Sequence, residues 1–315
     1  MKKLPKTSAA QRFRQLLECG EFIVSPGVYD GYSIRLVEAA GFKTACTSGA
    51  AMSNALLGVP DIGLMSLTDN VNHCRNLARS VTIPLTADAD TGYGNPVNVH
   101  HTVQLFEEAG IAGINIEDQV SPKRCGHMPG KEVIPADEMV KKIEAACLGR
   151  RDDAFAIIAR TDALAIEGID GAAARAKLYA AAGADMIFPD AVRTEEQVSR
   201  IVEAAGVPVT INMGFGIRSR PTTPLFRLPR LKELGVRRVS LPRMLPAAAI
   251  SGMRQALALM MGVVESGEPV DRPDLLVGIE DIMALMGYEE ARALEARLLT
   301  TDALDAKYAR KRASS

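Results

Sequence analysis

The feature that most constrains this chain is a loose repeat in which an Ala-rich amphipathic helix ends in Gly and an apolar run begins almost at once. Five such endings stand at Ala39-Ala40-Gly41-Phe42, Glu108-Ala109-Gly110-Ile111, Ala181-Ala182-Gly183-Ala184, Ala204-Ala205-Gly206-Val207 and Glu233-Leu234-Gly235-Val236. Gly just past a helix takes the left-handed conformation cheaply, so each marks a helix stop handing over to a strand. The pattern predicts strands at Phe22 to Pro26, Thr44 to Ser48, Pro84 to Asp88, Gly113 to Glu117, Ala156 to Arg160, Met186 to Pro189, Val209 to Asn212 and Arg238 to Pro242. Most are continuous apolar runs, as parallel strands covered on both faces require. Eight βα units over roughly 250 residues favour a closed (β/α)8 barrel, a TIM barrel, over an open sheet. The open doubly wound sheet is the alternative, but no Gly-x-Gly-x-x-Gly follows the first strand. After a helix from about Pro246 to Ser266 comes a break at Gly267 to Pro273, then helix from Ile279 to about Leu299. The chain therefore reads as one barrel domain over residues 1–315, with residues 267–315 as a C-terminal helical extension and a fraying tail from Lys307.

A net charge of −1, with no Lys/Arg stripe interleaved with aromatics, argues against a nucleic-acid partner. The five cysteines are odd in number and lack a Cys-x-x-Cys pair, so neither a disulfide framework nor a zinc site is expected. They fit a reducing cytosol. The basic start lacks the apolar core of a signal peptide, and no stretch approaches the uncharged length of a membrane span. The expectation is a soluble, cytoplasmic protein without a membrane partner.

Barrels of this kind place chemistry at the C-terminal ends of their strands. The third strand ends in Asp88-Ala89-Asp90-Thr91-Gly92-Tyr93-Gly94, and carboxylates two apart on a strand point the same way. The fourth ends in Ile116-Glu117-Asp118-Gln119. An oxygen-rich acidic cluster suits Mg²⁺, with Mn²⁺ as a substitute, and its acids would repel one another without a cation. Asp118 alone fits a helix cap or a solvent-facing acid. Next comes Pro122-Lys123-Arg124-Cys125-Gly126-His127-Met128-Pro129-Gly130-Lys131, where three basic neighbours favour the thiolate of Cys125 and the glycines suit a loop that closes. The same pattern also fits a basic surface loop with an incidental cysteine. The fifth strand delivers Arg160, a natural bidentate anchor for a substrate carboxylate, and the seventh delivers Asn212. Cys19, Cys74 and Cys147 read as packing residues, and His100 and His101 as surface residues.

These residues resemble the isocitrate lyase/phosphoenolpyruvate mutase superfamily, within its lyase branch of methylisocitrate and 2,3-dimethylmalate lyases. The resemblance rests on Ser48-Gly49, Gly58-Val59-Pro60-Asp61, Asp88 to Gly94, Ile116 to Gln119, Lys123-Arg124-Cys125-Gly126-His127 and Ala159-Arg160-Thr161-Asp162. It implies Mg²⁺ held mainly through Asp88, with Asp61, Asp90 and Glu117 acting directly or through water. It further implies substrate binding by Ser48, Gly49, Arg160 and Asn212, joined by Gly126 and His127 when the loop closes, and Cys125 as general acid; Glu117, Arg160 and His127 complete the catalytic set. Two departures stand out: Cys46 replaces the family's Tyr two residues before Ser48, and Asn212-Met213-Gly214-Phe215-Gly216 replaces the lyases' Asn-x-x-Glu-x-Gly. Members also exchange their last barrel helix between paired subunits, which implies a homotetramer of helix-swapped dimers.

The expected activity is Mg²⁺-dependent cleavage of a carbon–carbon bond in a substituted malate or alkyl-citrate, giving a 2-oxo acid plus a second carboxylic acid. The alternative is a C–C hydrolase or decarboxylase acting on oxaloacetate-like acids, which Pro242, matching the methylisocitrate lyases, disfavours. Cys125 argues against a phosphonate mutase, and together with the acids and Arg160 against a non-catalytic binding barrel.

Overall fold

The computed structural model describes residues 7–126, 128, 130–216 and 222–309. It forms a closed parallel barrel whose strands follow one another in sequence order. They are β1 Ile23–Val28, β2 Ala45–Thr47, β3 Leu85–Asp88, β4 Gly113–Glu117, β5 Ala156–Thr161, β6 Met186–Pro189, β7 Val209–Asn212 and β8 Val236–Leu241, with β8 closing on β1. All eight lie where the sequence predicts them, to within two residues at their ends. The five glycine stops have φ between 63° and 106°, a region that costs an L-residue about 1 kcal/mol or more.

Side chains alternate along a strand, so the pairing register sorts them into interior layers. Helix Ala9–Glu18, started by a Ser8–Gln11 capping box, turns Phe13 and Leu17 onto Ile23, Ala156 and Met186 at the N-terminal ends of β1, β5 and β6. That apolar layer shuts one end of the barrel. At the other end the interior turns polar: Asp88 pairs with Asn115, Glu117 with Arg160 and Asn212 with Ser240 across neighbouring strands.

The chain divides into two compact units, the barrel Pro5–Ala249 and a C-terminal helical unit, Ile250–Ser315. The helix expected from Ile279 to Leu299 is two, Ile279–Leu285 and Tyr288–Leu298, because Gly287 adopts φ 75° between them. A further helix, Thr301–Ala309, runs into the segment read as tail. Helix Met244–Ser266 is long and apolar enough to cross a membrane by length and composition. Arg254 stands at its middle, however, and a charge there costs roughly 2.5 to 3.5 kcal/mol on insertion scales. Ile250, Met253, Leu257, Met260 and Val264 recur on it at spacings of three and four, and all are exposed.

Candidate active site

Ser48, Gly49, Asp61, Asp88, Cys125, Gly126, Arg160 and Asn212 line one cavity at the C-terminal mouth of the barrel. Asp90 and Glu117 are buried next to it, each paired with a cation that lines it. His127 lies outside the described residues. The expected residues thus converge, apart from the one that cannot be placed.

The four acids do not form a ready metal cage: among the described residues no group of three or more His, Cys, Asp or Glu is arranged to hold an ion. Lys123 accounts for part of this. Its ammonium is buried between Asp61 Oδ1 at 2.5 Å and Asp90 Oδ1 at 2.9 Å. The acids outweigh burial and hold its pKa well above the ordinary lysine value. One lysine does not neutralise the rim. Burial, with Asp88 and Asp61 nearby, pushes Asp90 up to about 6 against the pull of Lys123. Burial drives Glu117 well above the usual carboxylate range despite Arg160, and its Oε1 is buried with no hydrogen-bond partner. Surplus carboxylates and an orphaned oxygen fit a hard divalent cation, and Mg²⁺ takes only one or two direct carboxylates while keeping several waters. Asp90 also carries strain, with φ 47°, while its carbonyl accepts from Glu117 N at 2.8 Å. Such conformations cost on the order of 1 to 3 kcal/mol and concentrate at functional sites.

Two glycines permit close approaches that no other residue would. A Cβ on Gly49 would lie 2.6 Å from Asp88 Oδ2, and one on Gly126 would lie 2.4 Å from Asp190 Oδ2 and 2.6 Å from Arg160 Nη2. Ser48 caps the short helix Gly49–Met52 that brings Gly49 to the cavity. On the far side, Asn212 Oδ1 accepts from Ser240 Oγ.

The segment carrying Cys125 is pinned over the cavity at several points. Gln119 and Arg124 exchange two hydrogen bonds of 2.9 Å, Cys125 N donates to Asp61 O, and Lys131 Nζ lies 2.8 Å from Asp162 and 3.2 Å from Asp190. Cys125 is buried, with its Sγ 2.8 Å from Arg243 Nη2, so this is no incidental surface thiol. A cation directly against a cysteine sulfur favours the anionic form.

Arg160 is held more tightly than its role as a free carboxylate anchor suggests. Its Nε and Nη2 form a fork on Asp162 at 2.9 and 3.1 Å. Glu117 and Asp190 lie 3.2 and 3.3 Å away, and its guanidinium stacks 5.1 Å from the Phe188 ring centroid. Its Nε and Nη2 are thus engaged by three carboxylates, while Arg160 still lines the cavity. Asp118 is neither a cap nor a solvent-facing acid. It accepts from Thr161 Oγ1, Asp162 N and Tyr179 Oη at 2.7 to 2.9 Å, and pairs with Arg175 at 3.3 Å. It is a buried hub that positions the residues following Arg160. Cys46 lines the cavity in place of the family's Tyr, and burial pushes its thiol up against the pull of Arg238, so it resists ionisation. Cys74 is buried as expected, whereas Cys19 is exposed.

Sequence reasoning missed Asp162 as a clamp on Arg160, and it missed Asp190, Arg238 and Arg243 altogether. Asp190 carried a usable signal, since it directly follows the end of β6. The phosphoenolpyruvate phosphomutase family model matches residues 13–261. A probable 2-methylisocitrate lyase 2 of Corynebacterium glutamicum is 38% identical over 298 residues, 94% of either chain. The crystal structure of 2,3-dimethylmalate lyase superposes with a TM-score of 0.84 at 32% identity, covering 93% of this chain and 96% of that one. Phosphonopyruvate hydrolase in complex with oxalate and Mg²⁺ superposes with a TM-score of 0.81 at 29% identity, covering 93% and 100%. A barrel whose acids, cysteine loop and arginine meet at one mouth agrees with these matches, and the chain belongs to the phosphoenolpyruvate mutase/isocitrate lyase superfamily.

Proposed function

We propose that this protein is a Mg²⁺-dependent carbon–carbon lyase that cleaves a substituted malate or alkyl-citrate to a 2-oxo acid, such as pyruvate, and a second carboxylic acid. The observation that supports this most is the position of Cys125, buried under a pinned loop and facing the same cavity as the acid rim and Arg160. Asp88 would hold Mg²⁺, with Asp61, Asp90 and Glu117 acting directly or through waters, and Mn²⁺ could replace it. Bound there, the metal supplies Lewis-acid stabilisation of an enolate oxygen.

The protein's own groups do the rest. Arg160 grips a substrate carboxylate, while Ser48, Gly49 and Asn212 orient the oxygens beside it. The loop through Cys125 and Gly126 excludes water. When the carbon–carbon bond breaks, its electron pair passes into the enolate or aci-carboxylate of the leaving acid. The Cys125 thiol then gives its proton to that carbon, and Arg243 stabilises the thiolate left behind. Donors fixed in advance around a developing negative charge are worth several kcal/mol in such sites. Cys46 is a poor candidate for the base that takes the hydroxyl proton, because burial keeps its thiol protonated.

The exposed apolar stripe on helix Met244–Ser266 supports assembly with further copies, and we read the protein as a cytoplasmic homotetramer built from helix-swapped dimers. The activity is tested by incubating the protein and Mg²⁺ with 2-hydroxy diacids, alkyl-citrates and oxaloacetate and identifying both products. A 2-oxo acid with a second acid supports the lyase. Oxalate plus acetate from oxaloacetate alone would replace it with the hydrolase.

A further inference from the structure

We propose that Arg238 is a second anion subsite, forming the floor of the cavity and taking a carboxylate of the substrate that Arg160 does not reach. The proposal rests on the site binding carboxylic acids with more than one carboxylate. Arg238 stands on β8 beside Thr210 of β7, one interior layer deeper than the Asn212–Ser240 pair. Its Nε donates to Thr210 Oγ1 at 3.0 Å and its Nη1 to Thr86 Oγ1 at 3.2 Å. Those hydroxyls belong to β7 and β3, on opposite sides of the barrel, so the guanidinium lies across the barrel axis. Phe13 lies 5.8 Å from its Cζ, and Arg238 lines the cavity. The group is 1% exposed.

What sets Arg238 apart is charge. Lys123 is matched by Asp61 and Asp90, and Arg160 by Glu117, Asp162 and Asp190. Both hydrogen bonds given for Arg238 go to neutral threonine hydroxyls, and among the described residues it has no carboxylate partner. Burial disfavours its charged form accordingly. A buried charge left unmatched costs several kcal/mol, a cost that an arriving anion offsets. A guanidinium on the cavity floor whose given partners are neutral hydroxyls suits a carboxylate, which accepts from it through both oxygens. The lyase substrate then carries at least two carboxylates, one toward Arg160 and one toward the floor.

The test compares two probe acids, malate and lactate, which share the 2-hydroxy acid group and differ in one carboxylate. Their binding to the full-length protein with Mg²⁺ is measured by calorimetry for the wild type, Arg238→Met and Arg238→Lys. The proposal expects the wild type to prefer malate and Arg238→Met to lose malate affinity on the order of 10²-fold, with lactate changed little. Arg238→Lys should fall between, and it serves as the reading if the methionine variant does not fold. Ligand-free Arg238→Met should melt no lower than wild type, because it removes an unmatched buried charge. Equal losses for both acids, or no loss for either, would overturn the subsite, and a lower melting temperature with unchanged binding would show a structural arginine. If the wild type binds neither acid, the polycarboxylate reading of the site falls, and the subsite with it.

Discussion

Gly126→Ala tests whether the cysteine loop must lie where it does. A Cβ at this position would stand 2.4 Å from Asp190 Oδ2 and 2.6 Å from Arg160 Nη2, well inside van der Waals contact. Neither neighbour can retreat freely, since Arg160 is also forked on Asp162 and Asp190 is tied to Lys131. The loop itself must therefore rise by about 1 Å, given that a carbon and a polar atom need roughly 3.4 Å between them. Displacing a catalytic group by about that much costs on the order of 10² in rate, or about 2.7 kcal/mol. The barrel strands are untouched, so the melting temperature should stay near that of wild type. Two assays read the change: kcat/KM for 2-oxo acid release, expected to fall on the order of 10²-fold, and alkylation of Cys125 followed by peptide mass spectrometry. The thiol, 8% exposed under the pinned loop, should react faster in the variant. Wild-type turnover together with wild-type alkylation would show that the closed loop has no part in the reaction.

Cys125→Ser should lower kcat by about 10² to 10⁴ while changing KM far less, because it removes a proton donor but preserves size; a wild-type kcat would show that another group supplies the proton. Asp118→Ala should cost about 1 to 3 kcal/mol or more of unfolding free energy in denaturant titration, since it leaves the buried Thr161 Oγ1, Asp162 N and Tyr179 Oη without their acceptor; a loss under about 1 kcal/mol would refute the hub. Asp162 is pushed up by burial but pulled further down by Arg160 and Lys131, to below its ordinary value. A lowered carboxylate contributes stability that is present above its unfolded pKa of about 3.9 and lost as pH falls. The stability gap between wild type and Lys131→Met should therefore shrink as pH drops from about 5 toward 2, and a gap constant with pH would count against that pairing.

The barrel was legible because its signals are local. A left-handed glycine after each of five helices and an apolar run behind it mark βα units whatever the tertiary context. Asp88, Glu117 and Arg160 were legible for a related reason: a strand's last residues face the mouth, so a charge there has few other uses. Arg238 shows where this stops. It stands in Val236-Arg237-Arg238-Val239, and nothing local tells which arginine points into the barrel. Only the register with Thr210 decides it. Asp118 was misread because its partners, Tyr179 and Arg175, stand about sixty residues away on a later helix. Lys123 was read as a neighbour of Cys125, although its ammonium reaches back to the acids instead. The break at Gly287 was visible as a glycine, but helical periodicity on both sides masked it.

The central claim is that the acid rim holds a divalent metal on which carbon–carbon cleavage depends. It is tested by following 2-oxo acid release from 2,3-dimethylmalate and 2-methylisocitrate after exhaustive EDTA treatment and again after adding Mg²⁺. Pyruvate or its homologue should form from at least one acid only once Mg²⁺ is restored, and Asp88→Ala should form none in either state. Full turnover in EDTA, or no 2-oxo acid from either substrate with Mg²⁺ present, would contradict the account.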